Sequence, residues 1–108
     1  MPGLVFWEEG EVFLASSTFE RLILLAGQHL PDRDDQEELS GMLAVGAFKP
    51  DAYDEPRRSR FVGAVARAAE QMVRESEGEG EPERAMETQN TLNELLAELR
   101  RRHPQAGP

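Results

Sequence analysis

Cysteine is absent from the 108 residues of this chain, which removes disulfides, thiolate metal sites and cysteine nucleophiles together. No apolar run reaches the roughly 18 residues that a membrane-spanning helix requires. The N-terminus has neither a basic n-region nor an apolar h-region, so no secretory leader is expected. These absences together point to a cytoplasmic protein. Catalytic signatures are missing as well: there is no GxSxG, no phosphate-binding glycine loop and no HExxH. Gly78 and Gly80 lie among glutamates, whose charge is wrong for cradling phosphate. Ser16, Ser17 and Thr18 read as helix-start residues, and Ser40, Ser59 and Ser76 have no base in a recognisable context.

Histidine is scarce, with only His29 and His103 present. His29 falls in the last turn of a helix, where an imidazole suits the dipole without catalytic duty. No second histidine or glutamate follows it at helical spacing to complete a metal pair. His103 falls in a tail expected to fray. No metal and no cofactor are called for. Lysine is scarcer still, since Lys49 is the only one beside eleven arginines, a bias typical of GC-rich bacterial genomes.

What is abundant is acid. The net charge is −9, and residues 1–54 hold 11 acidic and 3 basic side chains for −8 of it. Phosphate backbones would be repelled, so nucleic acid is not an expected partner, whereas a basic protein would be attracted. The acid peaks at Asp32, Asp34, Asp35, Glu37 and Glu38. A calcium loop counted from Asp32 would need Gly at its sixth position and Glu at its twelfth. Glu37 and Leu43 stand there instead, so the match fails. Solvation of a helix N-terminus is the plain reading of the run, and a surface for a basic partner is the functional one. The arginines of 57–60 and 100–102 lack interleaved aromatics and read as helix-end charges paired to nearby acids.

The local patterns give an α+β fold, predominantly α. Residues 4–7 (LVFW) and 12–15 (VFLA) are β-forming runs around Glu8-Glu9-Gly10-Glu11, a hairpin with Gly10 free to take positive φ. Trp7 belongs in the core. Between Ser16 and Leu30, Phe19, Leu22, Ile23, Ala26 and Leu30 recur at helical spacing, with Leu24 and Leu25 widening the stripe to imply contact on more than one side. This is the expected central helix, started by a Ser17–Glu20 capping box and stopped at Pro31. A shorter helix over 35–46, with Asp35 and Glu38 at capping spacing, presents Leu39, Met42, Leu43 and Gly46. Residues 47–56 read as a loop pinned by Phe48 and Tyr53. Residues 57–75 form the most strongly periodic helix, with Phe61, Val65, Ala68, Ala69 and Met72 on one face and Pro56 suited to its first position.

The expected organisation is a compact hairpin-plus-helices body over 1–75, an acidic flexible linker over 76–83, an amphipathic helix over 84–103 and a tail over 104–108. Leu92, Leu95, Leu96 and Leu99 give that last helix a narrow docking stripe, with Thr91 and Glu94 offering an internal start. No motif is long enough to carry a family resemblance. The leading functional expectation is a small binding protein that neutralises or regulates a basic partner, in the manner of immunity proteins. A second is a self-assembling or adaptor protein pairing through the leucine stripe as a homo-oligomer, and a third is an enzyme with a carboxylate site.

Overall fold

The computed structural model describes residues 3–76 and 82–104. The fold is α+β and predominantly α: a small N-terminal sheet and four helices share one hydrophobic core. Strand β1 (Gly3–Trp7) pairs antiparallel with β2 (Gly10–Leu14), Val5 opposite Val12 and Trp7 opposite Gly10. Alternation sends Val5, Trp7, Val12 and Leu14 into the core, while Leu4, Phe6 and Phe13 lie on the outer face. The turn is Glu8-Glu9. Gly10 sits in the strand opposite Trp7, and among the described residues only Gly46 has positive φ. The freedom expected at Gly10 is therefore not used. Gly3 is glycine for a different reason, since a Cβ there would overlap the base of the Phe19 side chain.

Helix α1 (Ser16–Gln28) follows after one residue, Ala15, whose extended φ of −58° and ψ of 148° turn the chain from sheet to helix. Ala15 is the N-cap and makes no side-chain cap bond. The expected Ser17–Glu20 capping box is therefore not the helix start, since the helix already begins at Ser16 and Ser17 lies inside its first turn. Phe19, Leu22, Ile23 and Ala26 are buried as their spacing requires, and Leu25 is half-buried against the core. Leu24 is 53% exposed, so α1 is covered over a narrower arc than its composition implied.

Helix α2 (Arg33–Val45) starts two residues earlier than its sequence suggested and ends at Gly46. That glycine takes φ 76°, the left-handed cap conformation that a side chain resists, and its N–H returns to Met42 O at 2.7 Å. It is a terminator rather than part of the apolar face. Its carbonyl accepts from Leu4 N at 3.0 Å, which delivers the chain beside β1. There Ala47–Phe48 form β3, parallel to β1 with Val5 beside Phe48, giving the order β2-β1-β3. The segment expected to be loop thus supplies a third strand, then a 3-10 turn over Pro50–Ala52. Phe48 is buried and Tyr53 half-buried, pinning the segment as expected.

Helix α3 (Arg57–Ser76) is the true centre of the molecule, lying between α1 and α4 (Pro82–Arg102). Every residue from Phe61 to Ala66 is buried. Alanines at 64, 66, 68 and 69 allow neighbouring helices to approach from more than one side. Pro56 precedes the helix instead of occupying its first position. Residues 77–81 of the acidic linker expected over 76–83 lie outside the described residues. Helix α4 packs along α3 and across β2, with Leu92, Leu95, Leu96 and Leu99 in the same core as Val5 and Leu22. Thr91 is interior to it, its hydroxyl donating to Glu87 O at 2.9 Å, so the helix does not begin there.

Candidate protein-binding site

The five acidic residues of 32–38 take separate roles. Asp32 is the N-cap of α2, and its Oδ1 accepts from Asp34 N at 2.9 Å. Asp35, expected on the partner-facing surface, is 2% exposed. Its Oδ1 accepts from Arg57 Nε at 3.1 Å and its Oδ2 from Arg60 Nε at 2.7 Å, stapling the first turn of α2 to that of α3. The Arg60 hydrogen bond, opposed by burial and reinforced by both guanidinium charges, holds this carboxyl below the ordinary aspartate range. A buried carboxylate between two cations belongs to the fold and not to a docking face. Stability from Asp35 is present above its unfolded value near 3.8 and lost as pH falls through the depressed folded value. Asp35→Asn should therefore lower stability by about 1.5–3 kcal/mol at neutral pH. It should also flatten the acid limb of the stability curve, measured by urea unfolding between pH 7 and pH 2.5.

Asp34, Glu37 and Glu38 remain exposed. Glu37 and Glu38 form one wall of a groove of about 360 Å³ between α2, β1 and the segment after β3. Its apolar surface comes from Phe6, Met42, Val45 and Tyr53, with Lys49 on the wall away from α2. Val45 is 71% exposed, a β-branched aliphatic presented to solvent at the end of α2. The Tyr53 ring is fixed edge-on to Phe61 at 4.9 Å, and its hydroxyl donates to Glu38 Oε1 at 3.2 Å. Burial, with the nearby Glu38 charge, pushes this phenol up from its usual range, so it stays a neutral donor. Lys49 Nζ lies 5.7 Å from the centre of the Phe6 ring. Gly41 completes the rim. A Cβ there would meet nothing within 4 Å, so the missing side chain leaves the groove open without any packing demand.

A larger cleft of about 500 Å³ lies between α1, α3 and α4, lined by Leu24 and Met72. An Arg21–Glu75 ion pair bridges it, so those charges already satisfy each other. The arginine clusters are paired in the same way. Arg57 and Arg60 hold Asp35, Arg100 pairs with Glu70, and Arg101 and Arg102 pair with Glu98. The leucine stripe of α4 is buried within its own chain, each leucine at 5% exposure or less.

The two histidines do not come together. His29 caps the C-terminus of α1 and faces the start of α3. His103, expected in a frayed tail, is instead docked on β1, its Nε2 accepting from Trp7 Nε1 at 2.9 Å. Among the described residues no three His, Asp or Glu side chains are grouped to hold a metal ion, and no helix is long and apolar enough to cross a membrane.

Sequence reasoning reached Glu37 and Glu38 but missed the apolar half of the groove. Its available signal was the run Val45-Gly46-Ala47-Phe48, a helix stop followed at once by apolar residues. Comparison with protein-family models, curated proteins and solved structures finds no match for this chain.

Proposed function

We propose that this chain is a protein-binding module whose α2 groove takes a basic, apolar-tipped segment of another protein and thereby neutralises or regulates that protein. The observation that carries the reading is the pairing of an apolar surface with a carboxylate wall: exposed Val45 and half-buried Phe6 beside Glu37 and Glu38. An apolar anchor would gain by burial against Val45 and Met42. An adjacent Lys or Arg would meet Glu38, which accepts from the neutral Tyr53 hydroxyl, and Glu37, whose 3.6 Å pair with Arg33 is solvent-exposed and readily exchanged, while Lys49 would set the direction by repelling the basic end. A net charge of −9 adds long-range attraction for the same partner.

Gly41→Leu tests the groove without touching a charge. The new side chain enters open space, and replacing a helical glycine should raise helix stability by roughly 0.5–1 kcal/mol. Binding should nevertheless weaken by about 30-fold or more, because a leucine side chain on the rim would occupy the space that the partner's apolar anchor needs. The measurement is calorimetric titration with the partner captured by the wild-type chain, beside a thermal melt. A stable variant that binds with unchanged affinity removes the groove from the proposal.

A further inference from the structure

The contact between Trp7 and His103 joins residues 96 positions apart and holds the last turn of α4 on the sheet. An indole nitrogen can only donate, so His103 Nε2 must be the acceptor and the imidazole proton must sit on Nδ1. The bond exists for the neutral ring alone. A second proton would land on Nε2 and set two donors face to face, beside an indole that is almost wholly buried.

Four charged groups on the neighbouring elements act on this ring. Arg102 of α4 and Arg58 of α3 disfavour its protonation, while Asp51 of the 3-10 turn and Glu55 ahead of α3 favour it. Burial is the largest influence and pushes the imidazole below its ordinary 6.5. Arg102 lies 5.0 Å from the centre of the Trp7 ring and is bonded to Glu98 at 2.8 Å, so the helix keeps a second hold on β1. Leu99, four residues back, is buried and accepts the His103 N–H at 2.8 Å.

We propose that His103 is a pH-sensitive latch: neutral, it fastens the end of α4 to Trp7; protonated, it lets go of the indole and turns toward the carboxylates of Asp51 and Glu55. The donor-only chemistry of the indole forces the release, and the two carboxylates give the charged ring an alternative position. Opening is confined to the His103 side chain and its contact with the indole, because Arg102 and the leucine stripe remain in place. The linkage has a definite sign. With the folded value depressed, the latch contributes fully above pH 6.5, and its contribution disappears as pH falls through the folded value.

The test uses the full chain and its single tryptophan. The indole N–H resonance, its exchange protection and the His103 ring shifts are followed by NMR from pH 8 to pH 5. Protection of the indole N–H, corrected for intrinsic rates, should fall about five- to tenfold, the loss expected of one hydrogen bond. It should fall in step with His103 and with a midpoint below 6.5. His103→Gln offers a carbonyl that accepts the same bond without titrating, and its indole protection should stay flat over the range. In a second variant, Asp51→Asn with Glu55→Gln, the His103 midpoint should move lower still. Indole protection that survives His103 protonation overturns the latch, as does an equal loss in His103→Gln. A midpoint unmoved by removing both carboxylates overturns the proposed second position.

Discussion

Truncation after Ser76 should abolish cooperative folding of the remaining chain. The residues removed include Leu92, Leu95, Leu96 and Leu99, all buried in the common core. At about 1.5–3 kcal/mol for each fully buried leucine, their loss amounts to roughly 6–12 kcal/mol. A domain of this size has a total stability of about 5–15 kcal/mol. Removing α4 would also bare the face of α3 that meets it and the inner side of β2, so the deficit is not confined to the deleted residues. From sequence alone the opposite result follows, because most of the large apolar residues lie before residue 76 and would suffice for a core. What that reading lacked is that α3 has two apolar faces, and α1 covers only one of them. Circular dichroism with urea titration decides the matter. A truncated chain with a native-like far-ultraviolet spectrum and a sigmoidal transition would mean that α4 is an accessory. As a milder control in the intact chain, Leu95→Ala should cost about 2–5 kcal/mol.

Reversing Asp34, Glu37 and Glu38 to lysine should slow association with the basic partner by about 10- to 100-fold at low salt, with a smaller change in dissociation. Asp32 is left in place because its side chain caps α2, and losing that cap would weaken the helix by about 1 kcal/mol. Asp35 is left because it is buried between Arg57 and Arg60. The three reversals remove much of the net charge, and all three act at exposed positions, so the fold should persist. The difference between variant and wild type should shrink as salt is raised, since the screening length falls from about 10 Å at 0.1 M to about 3 Å at 1 M. Stopped-flow association at both salt concentrations gives the result. An unchanged on-rate in the folded variant would reduce the acidic run to helix solvation.

The elements that sequence reasoning placed well are those whose evidence is periodic and local. Val5, Trp7, Val12 and Leu14 alternate, and Phe19 to Ala26 and Phe61 to Met72 repeat at helical spacing; all three patterns survive into the core. What escaped depends on partners far away in the chain. Strand β3 is two residues long and exists because Gly46 stops α2 beside β1, which no propensity records. Asp35 stood in plain view on the stripe of Leu39 and Met42, four and seven residues before them, and Arg57 and Arg60 share one turn of α3. The helical phase of both sets could have paired them. Trp7 and His103 carried no such signal, because nothing local marks a contact across 96 positions.

The groove is tested most directly by mapping where the partner sits. The wild-type chain captures its partner, and amide hydrogen exchange is compared for the free and bound chain. A partner seated in the groove should bring new protection to α2 from Glu37 to Val45, to β3 and around Tyr53, with the cleft between α1, α3 and α4 unchanged. Protection that falls on that cleft or on the free edge of β2, with α2 exchanging as it does in the free chain, would contradict it.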